Sequence, residues 1–282
     1  MKKNLSAALL ALVFAAPAMA EVGYQHIRNA TAKIEYGGTT FLIDPYLAPK
    51  GAYAGFEGTP NSRFRNPMVE MKSSAADVVK GVDAVIVTHT HDDHWDKAAQ
   101  ELMPKNLPVF VQNAGDAKTI RSQGFQDVRV VGKNTEFNKV RLTRIKGGQH
   151  GTDEMYAVPK MAELAGDAMG VVMQAANEKT VYIVGDTIWN HAVDHALEVF
   201  KPQIVVMNTG YAQVQGFGGS LIMGTADVGK MAQTMPQSAI IAVHMDATNH
   251  GAVSSKDMRR YVAAKGLGQQ VAVPAAGEVL KY

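Results

Sequence analysis

The chain has 282 residues, 46% hydrophobic and 19% charged, a balance that excludes disorder and collagen-like repeats and leaves ample length for a large core. It contains no cysteine, so disulfides, thiolate nucleophiles and Cys-containing zinc sites are excluded, and any metal must be held by His and carboxylate. The 28 Lys+Arg and 26 Asp+Glu become 26 and 26 once Lys2 and Lys3 are set aside, a formal charge of zero with no overall footprint for nucleic acid or an anionic membrane.

In chain order, Lys2 and Lys3, an apolar run over 5–16 and Ala18-Met19-Ala20 form the pattern of a cleavable secretory signal over residues 1–20. This predicts a mature chain beginning at Glu21 and a periplasmic or secreted location. No apolar run reaches the roughly 18 residues that span a bilayer, so no stable membrane insertion is expected after cleavage. Residues 21–282 show no short repeat and no Pro/Ser-rich linker, and are read as one domain.

Short β-type runs over 24–27, 32–36 and 39–43, separated by Gly turns such as Gly37-Gly38, predict antiparallel hairpins. Buried strands are expected at 82–87, 109–111, 128–131, 140–145, 171–173, 181–184, 204–207 and 240–243. Val193, Ala196, Leu197 and Phe200 follow helical spacing before Lys201-Pro202. Val228, Met231, Ala232 and Met235 do so after a Thr225 N-cap, ending before Pro236. Strands interleaved with amphipathic helices predict an α/β layered sandwich with helices on the sheet faces. Three stretches, 47–73, 147–167 and 210–224, read as long loops, the first with enough aromatic and Arg residues (Tyr53, Phe56, Arg63, Phe64, Arg65) to be either a lid or a self-packed surface loop.

The chemistry concentrates in His89-Thr90-His91-Asp92-Asp93-His94-Trp95-Asp96, directly after the apolar run Val85-Ile86-Val87. Neutral imidazoles and a carboxylate crowded on one turn suit a divalent transition metal. Three further strand ends lead to His150, Asp186 and His244, which brings the candidate ligands to His89, His91, Asp93, His94, His150, Asp186 and His244. Seven are enough for two ions about 3.5–4 Å apart, which lower the pKa of a shared water toward roughly 7.

This H-x-H-x-D-H sequence, with His150, Asp186 and His244 following in order, resembles the metallo-β-lactamase superfamily. Trp95-Asp96, Leu42-Ile43-Asp44-Pro45 and Gly185-Asp186-Thr187 resemble its ascorbate-6-phosphate lactonase and N-acyl-phosphatidylethanolamine phospholipase D branch. The resemblance implies a four-layer αβ/βα sandwich. It also implies one metal at His89, His91 and His150, the other at Asp93, His94 and His244, and Asp186 bridging them. Asp44 is implied to orient a ligand His. Lacking Cys and carrying Asp186, the chain departs from true β-lactamases, so antibiotic hydrolysis is not expected.

The expected function is an exported metal-dependent hydrolase of an ester or lactone of a small-molecule substrate, using a metal-bridging hydroxide that Asp93 orients. Zn²⁺ is the first expectation for the two ions, with Mn²⁺ or Fe²⁺ compatible with the same ligands. Phosphodiester cleavage and a non-catalytic metal- or ligand-binding role are the alternatives. Neutral charge disfavours a nuclease. His250, six residues beyond His244, either protonates a leaving group or caps the following helix. Trp95 and Trp189, each within three residues of a candidate ligand, either wall the pocket or pack in the core; His191 and His195, an i, i+4 pair opposite the apolar stripe, read as a solvated helix face rather than a ligand pair, and His26 as structural.

Overall fold

The computed structural model describes residues 21–282, so the signal pattern of residues 1–20 lies outside the described part. The chain opens with β1 (Gly23–Arg28), β2 (Thr31–Tyr36) and β3 (Thr39–Ile43), paired antiparallel. Gly37 and Gly38 take the positive φ of 57° and 73° that a tight hairpin turn demands. Then α1 (Ala75–Val79), β4 (Ala84–Val87), α2 (Lys97–Leu102), β5 (Val109–Val111), α3 (Ala114–Ser122) and β6 (Val128–Val130) add parallel strands beside β3.

The second half begins with a hairpin of β7 (Thr135–Phe137) and β8 (Val140–Gln149), followed by α4 (Asp153–Tyr156), α5 (Pro159–Ala165) and β9 (Asp167–Gln174). It continues through β10 (Val181–Ile183), α6 (His191–Phe200), β11 (Ile204–Asn208), α7 (Thr225–Thr234), β12 (Ala239–Val243), α8 (Ser255–Ala264) and β13 (Val271–Ala272). Finally β14 (Val279–Lys281) returns to the edge of β1.

The result is two seven-stranded sheets, ordered β14-β1-β2-β3-β4-β5-β6 and β13-β12-β11-β10-β9-β8-β7. Their facing surfaces form one core in which Ile34, Phe41, Ile86 and Phe110 pack with Leu142, Val171, Ile183, Val206 and Ile241. Val78, Ala99, Ala117 and Ile120 cover the outer face of the first sheet from α1–α3, and Val193, Leu197, Val228, Met231 and Met258 cover the second from α6–α8. Each fully buried large side chain contributes roughly 1.5–3 kcal/mol. β4 is buried at every position, as a parallel strand covered on both faces must be. This is the four-layer αβ/βα sandwich.

Several local expectations change. Gly224, not Thr225, is the N-cap of α7, and the Asp227 carboxylate accepts from the Gly224 amide at 2.9 Å. The stretch 147–167 is not a loop: β8 runs on through a bulge to Gln149, two short helices follow, and β9 starts at Asp167. Pro159 at the head of α5 was the available signal. Trp95 is core, packed against Phe125 and donating to Gln123 Oε1 at 2.7 Å. Trp189 donates to Asp194 at 2.8 Å and carries the Lys230 ammonium over its ring, so it sits on the α6–α7 side rather than walling a pocket. His191 and His195 are exposed. No helix among the described residues is long and apolar enough to cross a membrane.

Candidate metal centre

The ends of β4, β8, β10 and β12 deliver the candidate ligands to one rim. After β4 the chain folds back at once, with the His94 and Trp95 amides both donating to the His91 carbonyl at 2.9 Å. That turn aims His89, His91, Asp93 and His94 the same way. Gly185 precedes Asp186 with φ 76°, and a Cβ there would meet the Met169 carbonyl at 2.4 Å, so only glycine lets the end of β10 approach this closely. Asn29, Asp44 and His244 all hold left-handed φ, 55°, 41° and 64°, and the backbone strain of the molecule is thus partly spent at this rim.

All seven expected residues meet. Ligand atoms of His89, His91 and His150, of His89, His94 and Asp186, and of Asp93, His94 and His244 each lie within 4.8 Å of one another. Asp186 Oδ2 stands between the clusters, 3.1 Å from His94 Nε2, 3.5 Å from His244 Nε2 and 3.6 Å from His150 Nε2. Its other oxygen is occupied by Asn208 Nδ2 at 2.6 Å. Asp93 Oδ2 is 3.2 Å from His244 Nε2.

In His89, His91, His94 and His150 the ring nitrogen that faces away from the centre has a partner that fixes the tautomer. His94 Nδ1 donates to Asp44 Oδ2 at 2.8 Å, and Thr88 donates to the same carboxylate through both its amide and its hydroxyl at 2.7 Å. The Thr88 hydroxyl is left to accept from His89 Nδ1 at 3.1 Å. His91 Nε2 donates to the Leu164 carbonyl at 3.0 Å, and His150 Nδ1 to the Ala165 carbonyl at 3.2 Å. Inward, His89 Nε2 is buried without any hydrogen-bond partner. A bare, buried nitrogen beside carboxylate oxygens is what a cation completes, and the clusters fit a dinuclear site.

The electrostatics agree. Burial would push the His94 imidazole down, but Asp186, Asp93 and Asp44 outweigh it and raise it well above its usual range. Burial would raise Asp186 and Asp93, yet His94 and His244 hold both carboxyls well below theirs. The carboxylates favour positive charge here, whether a proton or a metal supplies it. His89 and His150 are instead driven down, first by burial and then by neighbouring imidazoles, His150 to about 3. Both are therefore neutral and available as ligands at pH 7.

The 46–73 segment is a fastened cover. The side chain of Asn249 accepts from the Phe56 amide and Asn66 Nδ2 at 2.9 Å and donates to Thr59 Oγ1 and the Pro60 carbonyl at 2.8 Å. Asp96 accepts from the Leu47 and Ala48 amides and from Tyr53, while the buried Arg28 guanidinium donates to the carbonyls of Tyr46, Ala48 and Val69. Phe56 meets the His250 ring edge-on at 4.9 Å. His250 is buried, its Nδ1 has no partner, and burial lowers its pKa to about 4, with Asp93 opposing. Arg65 is spent on the Gly51 and Ala52 carbonyls and Arg63 lies over Phe64. A cleft of about 750 Å³ opens beside His89 and His91, lined also by Asn113, Asp116, Lys160, Glu163, Leu164 and Asp167.

Sequence reasoning missed Asn29, which donates to the Asp93 carbonyl and carboxylate at 3.1 and 3.2 Å, as well as Asn208, Asn249 and Tyr156. Asn208 alone had a signal: it ends a buried strand, as the ligands do.

The beta-lactamase superfamily domain is matched over residues 39–245, and the chain belongs to that superfamily. Within it, the UPF0173 protein YddR of Bacillus subtilis is 40% identical over 252 residues, 89% of this chain and 96% of that protein. The chain is a metal-dependent hydrolase of the UPF0173 family. A crystal structure from Veillonella parvula, described as a possible metal-dependent hydrolase, superposes with TM-score 0.91 at 54% identity, covering 93% of this chain and 99% of that one. An isothiocyanate hydrolase from Delia radicum gut bacteria superposes with TM-score 0.88 at 41% identity, covering 92% and 98%. These relatives do not single out the ascorbate-6-phosphate lactonase and phospholipase D branch.

Proposed function

We propose that the chain hydrolyses a small, neutral electrophilic carbon compound, an organic isothiocyanate first and a simple ester or lactone second. The observation that supports a neutral substrate is the charge around the cleft. Among the described residues Lys160 is its one cationic lining side chain, outnumbered by Asp116, Glu163 and Asp167, while Arg63 and Arg65 are engaged elsewhere. Apart from the metal centre itself, a phosphodiester anion would meet one ammonium against three carboxylates there. The 41% identity with an isothiocyanate hydrolase over nearly the full length of both chains supports the first substrate. The ester or lactone reading rests on the same neutral-carbon requirement.

His89, His91 and His150 would hold one divalent cation, Asp93, His94 and His244 the other, with Asp186 between; Zn²⁺ suits the ligands, and Mn²⁺ or Fe²⁺ would too. When bound, such ions supply an activated water and polarise the electrophile. Asp93, its carboxylate steadied by Asn29, orients that water. For an isothiocyanate, water oxygen bonds to the central carbon, the C–N bond breaks, and amine and carbonyl sulfide leave. The amine nitrogen must gain two protons, both from that water, one as oxygen adds to carbon and the second as the C–N bond breaks. His250, neutral because it is buried, takes a proton released by the water and returns it to that nitrogen.

The test compares kcat/KM of the metal-loaded protein for allyl isothiocyanate, an aryl ester, a γ-lactone and a phosphodiester. The isothiocyanate should lead and the phosphodiester trail. A preference for the phosphodiester would defeat this reading. Export with cleavage after Ala20 is part of the proposal, and a secreted product whose mass begins at Glu21 is the expected outcome.

A further inference from the structure

The two ligand clusters are not supported by the same kind of partner. His94 leans on a carboxylate, Asp44. His91 and His150 lean instead on two consecutive backbone carbonyls, Leu164 and Ala165, at the C-terminal end of α5. Carbonyls in the last turn of a helix have no partner within the helix, so they are free to accept from the imidazoles. Gly166 ends α5 with φ 58° and ψ −166°, a region essentially restricted to glycine, and turns the chain into β9.

One side chain closes this arm. The Tyr156 hydroxyl donates to the Gly166 carbonyl at 2.6 Å and accepts from the His150 amide at 3.2 Å. It joins the residue that starts the arm to the residue that ends it. We propose that α4 and α5 form an orienting arm for one half of the centre only, with Tyr156 as its positioning residue. The arm fixes His91 with Nε2 protonated and His150 with Nδ1 protonated. Opposite ring nitrogens, Nδ1 of His91 and Nε2 of His150, are thereby left bare toward the same ion. Tyr156 therefore sets metal affinity at the His89/His91/His150 position and not at the Asp93/His94/His244 position.

This rests on the two-ion reading of the centre, and the test separates the two. The metal-free full chain is titrated with Zn²⁺ against a chromophoric chelator in two backgrounds, His244→Ala and His150→Ala, each with and without Tyr156→Phe. In the first, where the arm-supported position remains, Tyr156→Phe should weaken Zn²⁺ binding about tenfold or more, the usual range for lost partners behind a ligand. In the second, affinity should stay within about twofold. Tyr36→Phe is the control, because its hydroxyl donates to the Met173 and Lys179 carbonyls near the hairpin turn, at the opposite end of β2 and β3 from Asp44. It should lower thermal stability without changing either affinity. If Tyr156→Phe does not fold, Gly166→Ala strains the same turn and should show the same selectivity. Undiminished affinity in the His244→Ala background, or equal losses in both, would overturn the proposal. A wild type that takes up no Zn²⁺ would instead refute the two-ion reading.

Discussion

The two halves of the centre solve one problem with different chemistry. The Asp93/His94/His244 half, drawn from the ends of β4 and β12, is charge-rich: Asp44 behind His94, Asn29 behind Asp93, and Asp186 alongside. The His89/His91/His150 half is held by neutral groups, the Thr88 hydroxyl and two helix-end carbonyls, and burial drives His89 and His150 toward neutrality. The first half attracts a cation by charge. The second relies on bare nitrogens held in place, so geometry matters more there than electrostatics.

Removing the residue common to both halves should do the most damage. Asp186→Ala takes away the one carboxylate among the described residues that stands within 3.6 Å of ligands of both clusters, and bound metal should fall from about two ions per chain to less than one, measured by elemental analysis after dialysis. Retention of two ions would show that the halves are independent of it. Asp44→Asn sharpens the comparison by removing charge but not shape. It should weaken metal binding about 10- to 100-fold, mainly at the His94 position, with a smaller effect passed through Thr88 to His89. Equal weakening of both positions would erase the distinction between a charged and a neutral half.

The sequence carried the ligands of both halves equally, and of the groups behind them it carried Asp44 but not the Leu164 and Ala165 carbonyls. His89, His91, Asp93 and His94 occupy six consecutive positions, so one buried strand end places them all. His150, Asp186 and His244 were readable because each ends an apolar run. The other supporting groups were not readable, for a physical reason. Leu164 and Ala165 act through their backbone, which no side-chain pattern announces, and Asn29 reaches a partner 64 residues away. The short helices α4 and α5 are stabilised by packing and the Tyr156 contact rather than by a long amphipathic stripe. The lid reading of 47–73 failed to see Asn249 because a lone Asn in a loop carries no local signal of four side-chain hydrogen bonds.

Asn249 gives a smaller test on the His244 side. Asn249→Ala unfastens the cover and should cost roughly 3 kcal/mol in denaturant unfolding of the metal-free chain, from several buried hydrogen bonds at about 1 kcal/mol each. Zn²⁺ affinity at the His89/His91/His150 position should be unchanged, since the arm that supports it is elsewhere. The smallest effect is a background titration outside both halves. Burial holds His26 at about 4, below the ordinary 6.5, with Asp246 opposing. It stays neutral when folded and gains a proton when unfolded, so the stability it contributes is present above about 6.5 and is lost as pH falls toward 4. His26→Gln should flatten the pH dependence of stability in that window by up to about 1.4 kcal/mol per pH unit, with or without metal.

The most direct test is anomalous diffraction from crystals of the Zn²⁺-saturated protein, recorded at the zinc edge. Two peaks about 3.5–4 Å apart are predicted, one among His89, His91 and His150 and one among Asp93, His94 and His244, with Asp186 between them. On partial removal of metal, the peak at the neutral, arm-supported half should fade first. A single peak at full saturation, or peaks away from these residues, would contradict a dinuclear centre built from two differently supported halves.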